Sequence, residues 1–255
     1  MSQTIALAGK GGTGKTTVSA LLIKYLLQSG KTPILAVDAD PNANLNELLG
    51  VEVEVTLGEI KNELRTSVPE SMARGDYIEM RLNEAIIEAQ SFDLIVMGQP
   101  EGPGCYCAAH AFLSQALEKL MRHYAYVIVD NEAGMEHLSR LNMRKIDHLL
   151  VVSDASSRGV MTAGRIAELI KPLQLDVGTV WLLVNRAPQT IPEALDKYVK
   201  EVCTQRKMEF LGYLKESPAI FEAEIERKPL LSLPEEIEVV KEANQLFLKM
   251  LTKGA

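Results

Sequence analysis

An α/β fold with a mostly parallel sheet and helices on both faces is the class this sequence predicts, and three observations carry it. Short, nearly continuous apolar runs recur along the chain, separated by segments with helical spacing. Strands buried on both faces read as such runs, and their alternation with helices implies right-handed βαβ crossovers. Acidic residues stand at the C-terminal ends of two of the runs, the edge at which open α/β sheets bind ligands. Finally, the segment Gly9-Lys10-Gly11-Gly12-Thr13-Gly14-Lys15-Thr16-Thr17 joins the first apolar run to the first helical pattern.

In order, residues 4–8 form the first strand, and Val18, Leu21, Leu22, Tyr25 and Leu26 mark a helix that stops at Gly30. Residues 32–37 read as a buried strand delivering Asp38-Ala39-Asp40-Pro41-Asn42 at its end. Signals weaken over 50–90, with helix expected at 56–64 and 82–88 and loop at 67–75. Strand 92–97 runs into Gly98-Gln99-Pro100-Glu101-Gly102-Pro103-Gly104-Cys105-Tyr106-Cys107, too rich in Gly and Pro for helix, and a helix follows over about 108–123. Strands are expected at 126–129, ended by Asp130, and at 148–152, 179–184 and 210–214. Helices are expected at 160–170, stopping at Pro172, and at 218–226. Over 235–251, Ile237, Val240, Phe247 and Leu251 share one stripe, with acids early and lysines late, as the helix dipole favours. Its polar face is not markedly basic, so it is expected to pack on the domain rather than anchor to a membrane.

With 255 residues, 47% of them hydrophobic, the chain can bury one large core. Pro and Gly do not gather into a linker and no repeat is visible, so residues 1–255 are read as a single domain. The net charge of −7 lacks the broad positive field that non-specific nucleic-acid binding or a basic membrane anchor needs. No run approaches the length of a membrane span and no signal-like segment leads the chain, so a cytoplasmic protein is expected. Three cysteines do not make a disulfide framework, which leaves metal or redox chemistry for them.

The glycine-rich segment matches G-x-x-x-x-G-K-[ST] in full. Its glycines let successive N–H groups point at bound phosphates, while Lys15 adds a point charge and Thr16 a hydroxyl for Mg²⁺. Gly9, Gly11 and Gly14 also satisfy G-x-G-x-x-G, with Asp38 placed to meet a ribose, but a dinucleotide site has no use for Lys15-Thr16. Asp130 and Asp38, each ending a strand, are the candidates to orient Mg²⁺ directly or through one water.

A second lysine, Lys10, narrows the class. Lys10-Gly11-Gly12-Thr13-Gly14-Lys15-Thr16-Thr17 resembles the deviant Walker A ATPases, the class of MinD, ParA and the nitrogenase iron protein. The resemblance implies a P-loop ATPase that binds ATP or ADP through residues 11–17 and forms an ATP-dependent homodimer, Lys10 reaching across to the partner's nucleotide. It continues through switch I at Asp38–Asn42, with Asp40 orienting the attacking water, and through Walker B and switch II at Asp130 and Gly134. Asn185-Arg186 resembles the adenine-contacting element, and Lys215-Glu216-Ser217-Pro218 a second base-flanking loop.

Cys105-x-Cys107 supplies two thiolates, which leaves a tetrahedral ion two ligands short, whereas two chains about a twofold supply four. The iron protein's second cluster cysteine has no counterpart in residues 131–136. Together with Lys10 and the 130–136 segment, this loop resembles the CooC-type ATPases, which mature the nickel site of carbon monoxide dehydrogenase, and their relative AcsF, which serves acetyl-CoA synthase. The resemblance implies Ni or Zn at the dimer interface and one of those enzymes as client. Two alternatives stand beside it: a MinD/ParA-like positioning ATPase without metal, and an Mrp-type iron–sulfur carrier. His110 is expected on the following helix, and Cys203 within a helical pattern as a structural thiol.

Overall fold

The computed structural model describes residues 2–66, 68–69, 71–99, 115–135 and 145–253. Its strands are β1 (Gln3–Gly9), β2 (Ile34–Asp38), β3 (Ile87–Glu88), β4 (Asp93–Val96), β5 (Tyr126–Asp130), β6 (Lys145–Asp154), β7 (Asp176–Ala187) and β8 (Glu209–Lys215). They form one eight-stranded sheet in the order β3-β4-β2-β5-β1-β6-β7-β8, parallel throughout except for the β3–β4 pair. The helices are α1 (Lys15–Gln28), α2 (Leu45–Leu49), α3 (Leu57–Thr66), α4 (Arg74–Glu84), α5 (Ser157–Glu168), α6 (Glu193–Arg206), α7 (Pro218–Ile225) and α8 (Glu238–Lys253), with a further helical stretch at 115–121.

The apolar runs are continuous because the sheet is covered twice. Ile5 and Leu7 of β1 belong to one core with Leu22 and Leu26 of α1 and Phe247 of α8, whereas Ala6 and Ala8 belong to another with Leu57 and Ile60 of α3 and Val199 of α6. Successive side chains of a strand point to opposite faces, so both must be apolar, each large one contributing about 1.5–3 kcal/mol on burial. The last strand is an edge, and α8 covers it: Lys249 Nζ donates to the carbonyls of Phe210 (2.9 Å) and Leu211 (2.8 Å).

One stretch departs from expectation. The helix expected at 82–88 lies earlier, at Arg74–Glu84, overlapping the expected loop, and Ile87–Glu88 is a short antiparallel strand. Tertiary contacts decide this: Tyr77, Ile78 and Leu82 bury one stripe, and Arg81 grips Glu63 of α3 with Nε–Oε2 and NH2–Oε1 distances of 2.7 Å each. A helical start containing Arg74-Gly75-Asp76 gives little local signal. Cys203 is buried on α6, as a structural thiol would be. Among the described residues, no helix is long and apolar enough to cross a membrane.

On β6, His148 is buried and its Nδ1 accepts from the Trp181 indole N–H at 3.1 Å. Burial pushes this imidazole below its ordinary value, against a smaller upward pull from Asp147. A proton therefore binds the unfolded chain more readily, and stability is lost as the pH falls below about 6.5. His148→Gln is expected to flatten that acid limb between roughly pH 7 and 5, read by denaturant titration of the emission of Trp181, the single tryptophan. Equal slopes for both proteins would refute it.

Candidate nucleotide site

The site is assembled where β1, β2, β5 and β7 end. β1 stops at Gly9, where an added Cβ would lie 2.4 Å from the Val152 carbonyl oxygen, so the backbones approach too closely for a side chain. Gly12 (φ 79°) and Gly14 (φ 83°) take left-handed conformations, and the chain enters α1 at Lys15. The N-terminus of α1 has no capping side chain and no acid in its first turn. Its free N–H groups and positive dipole end are left for an anion. They face a cleft of about 600 Å³ that also borders Asp40, Asn42, Glu132 and Arg186.

Lys15 is 7% exposed, and its Nζ donates to the Lys10 carbonyl at 3.3 Å. Burial pushes its amine below the ordinary lysine value, opposed by Asp130, Asp40 and Glu132, so three carboxylates surround one cation. The same Lys10 carbonyl accepts from the Thr13 hydroxyl at 2.9 Å, which fixes the turn of the loop. Lys10 itself is exposed and lies outside the lining of its own chain's cleft.

Asp38 and Asp130 are register partners on β2 and β5, so two carboxylates distant in sequence sit side by side. Asp130 is 1% exposed and accepts from the hydroxyls of Thr16 and of Ser19, the latter at 3.0 Å. Burial, with Asp38 adding repulsion, pushes its carboxyl up to about 7. Asp38 is fully buried, and its carboxylate accepts from the backbone N–H groups of Asp40 (3.0 Å) and Leu45 (2.9 Å). It braces the turn that presents Asp40 to the cleft, and burial raises its carboxyl too. A carboxylate so engaged is not offered to a ribose, which disposes of the dinucleotide alternative. Asp40 Oδ1 accepts from the Asn42 backbone and side-chain amides at 2.9 and 3.0 Å.

The segment after β5 is stitched to β1. Asn131 Nδ2 donates to the Leu7 carbonyl (2.7 Å) and Gly134 N–H to the Gly9 carbonyl (3.2 Å), which holds Glu132 and Ala133 at the cleft. At the end of β7, Asn185 Nδ2 donates to the Thr13 carbonyl at 2.9 Å, and Arg186 NH1 to that of Gly12 at 3.3 Å. The 215–218 segment does not line the cleft; Lys215 pairs with Glu242 at 3.0 Å on α8. The helix it leads into does: Glu224 of α7 accepts from the Thr17 hydroxyl at 3.4 Å, and Arg227 and Lys228 follow along the rim. Glu132, Glu224, Arg227 and Lys228 also line the cleft, and of these only Glu132, by its spacing from Asp130, carries a signal in the sequence. Cys105, Cys107 and His110 lie outside the described residues, and among the described residues no group of three or more His, Cys, Asp or Glu is placed to hold a metal.

Residues 4–230 match the sequence pattern of the CobQ/CobB/MinD/ParA nucleotide binding domain, CbiA. The chain belongs to this family. It is 40% identical to an uncharacterized ATP-binding protein of Methanocaldococcus jannaschii, over 98% of both chains. It is 29% identical to the carbon monoxide dehydrogenase accessory protein CooC of Rhodospirillum rubrum, over 76% of this chain and 78% of that one. The crystal structure of the cell division ATPase MinD from Pyrococcus furiosus superposes with a TM-score of 0.72 at 23% identity, covering 99% of this chain and 100% of that one. The chain is thus an ATPase of the MinD/ParA/CooC class, with the single α/β fold of that class.

Proposed function

We propose that this family member is a metallochaperone ATPase, in which ATP-driven dimerisation assembles an intersubunit Cys₄ site that carries Ni²⁺ or Zn²⁺ and delivers nickel to carbon monoxide dehydrogenase or acetyl-CoA synthase. The observation that carries this reading is the pairing of Cys105-x-Cys107 with Lys10 in a chain similar to CooC. One chain offers two adjacent thiolates, and a twofold supplies the four that a tetrahedral ion takes. The exposure of Lys10, away from its own cleft, suits a lysine that acts on a partner's nucleotide.

Within each chain, residues 11–17 would hold the phosphates. Thr16 and Asp130, already hydrogen-bonded to each other, would hold Mg²⁺ with Asp38 behind them. Such a donor set, with a hydroxyl, buried carboxylates and a helix N-terminus that has no capping side chain, fits a magnesium triphosphate. When bound, Mg²⁺ would neutralise charge on the phosphates. Lys15 would then supply the fixed cation, Asp40 would orient water, and Arg186, on the cleft lining, would border the base with the buried Asn185 next to it. Differential affinity of the two nucleotide states for one dimer geometry drives such a switch.

The test is metal stoichiometry. Wild-type protein is expected to bind about one Ni²⁺ or Zn²⁺ per two chains, and Cys105→Ala with Cys107→Ala to lose it while ATP binding persists. An unchanged stoichiometry would place the metal elsewhere. Because the family also contains MinD and ParA, a positioning ATPase is the competing reading. It requires ATP-dependent, salt-sensitive capture by DNA or liposomes and no dependence on the two cysteines. Lys10→Ala is expected to abolish ATP-dependent dimerisation in light scattering while leaving ATP binding by the single chain intact.

A further inference from the structure

Two consecutive residues at the end of β7 reach the same loop, which a regular strand does not permit, since successive side chains point to opposite faces. Asn185 is 5% exposed and donates to the Thr13 carbonyl, while its exposed neighbour Arg186 donates to the Gly12 carbonyl. The backbone makes this possible. Arg186 has φ 51°, in the left-handed region, and the β7–β8 register is irregular between Val184 and Ala187. Bulges next to active sites re-aim side chains, and a non-glycine residue at positive φ is a strain that such a site maintains.

The contact is close on the other side as well. A Cβ on Gly14 would lie 2.4 Å from Asn185 Nδ2, so the last glycine of the loop is also the gap through which Asn185 reaches Thr13. In a trans peptide, C=O and N–H point opposite ways. Holding the Thr13 carbonyl toward β7 therefore aims the Gly14 N–H away from it, and holding the Gly12 carbonyl steadies the Thr13 peptide, whose N–H meets the Lys10 carbonyl at 3.4 Å.

We propose that Asn185 and Arg186 are positioning residues for the phosphate loop, a two-point clamp on its outer carbonyls that orients its N–H groups before any base is present. The clamp belongs to the ATPase reaction itself and is independent of what cargo the protein carries. It also links base to phosphate, because a residue bordering the base site sets the loop's shape.

Inorganic tripolyphosphate, which has neither base nor ribose, separates this role from base contact. Its affinity for the full chain is measured by calorimetry, with adenosine as the converse probe. Asn185→Leu roughly keeps the volume, adds no charge and removes the donor, and is expected to weaken tripolyphosphate about tenfold or more; Arg186→Ala, at an exposed position, should weaken it about three- to fivefold. Arg186→Lys should recover part of the loss. Variants that lose adenosine affinity yet bind tripolyphosphate as the wild type does would overturn the proposal. So would a wild-type loop with no measurable tripolyphosphate affinity, since the clamp is argued to preform it. A rise in KM for ATP together with a fall in kcat would add support, and a change in KM alone would count against it.

Discussion

Lys15→Ala is expected to lower kcat/KM for ATP by about 100-fold or more. The ammonium is 7% exposed and parked on the Lys10 carbonyl, with Asp130, Asp40 and Glu132 close enough to raise its affinity for a proton. Without it the cleft keeps its carboxylates and loses the buried cation that offsets them, so a triphosphate meets net repulsion where it met attraction. Both affinity and turnover should fall, because developing charge on the leaving phosphate oxygens is served by the same group. Folding should survive, since a buried lysine is itself held at a desolvation cost. Phosphate release and ATP calorimetry are the measurements, and near-wild-type turnover would remove Lys15 from the machinery.

Asp130→Asn is expected to produce two opposite effects. Hydrolysis with Mg²⁺ should fall by about two orders of magnitude, because the carboxylate next to Thr16 is gone. The nucleotide-free protein should meanwhile become more stable at pH 8. The Asp130 carboxyl is raised to about 7 by burial and by Asp38 beside it. A raised carboxyl is most favourable to the fold below its ordinary value near 4, and that contribution is lost as the pH climbs through about 7. At pH 8 the wild type therefore holds a buried charge whose cost is on the order of a few kcal/mol, and the amide does not. The stability gap should close as the pH is lowered toward 4, and added Mg²⁺ with nucleotide should restore the wild type's standing. A variant less stable at every pH would mean that Asp130 is mainly a structural acceptor for Ser19 and Thr16.

What was legible in the sequence follows a physical boundary. The strands were readable because a sheet covered on both faces needs unbroken apolar runs, and Ile5 through Ala8 supply both cores in alternation. Helix α4 is hard to place from sequence because Gly75 lies in its first turn and Ala73 offers no capping side chain, and its position rests on Tyr77, Ile78, Leu82 and the Arg81–Glu63 pair, all of them tertiary partners. Glu224, Arg227 and Lys228 carry no local sign of the cleft they border, because α7 reaches it only through the packing of the C-terminal region onto α1.

By itself the sequence determined the phosphate loop and the class of ligand it takes. Positive φ at Gly12 and Gly14 and a lysine one residue on are local requirements, written in adjacent letters. Only the tertiary structure decided how the loop is held. Asp130 meets Asp38 because β2 and β5 are neighbours, and Asn185 meets Thr13 across 172 residues because a left-handed turn at Arg186 swings both side chains onto one loop. Such meetings depend on strand order and on a single backbone angle, and neither leaves a pattern in the residues that flank it.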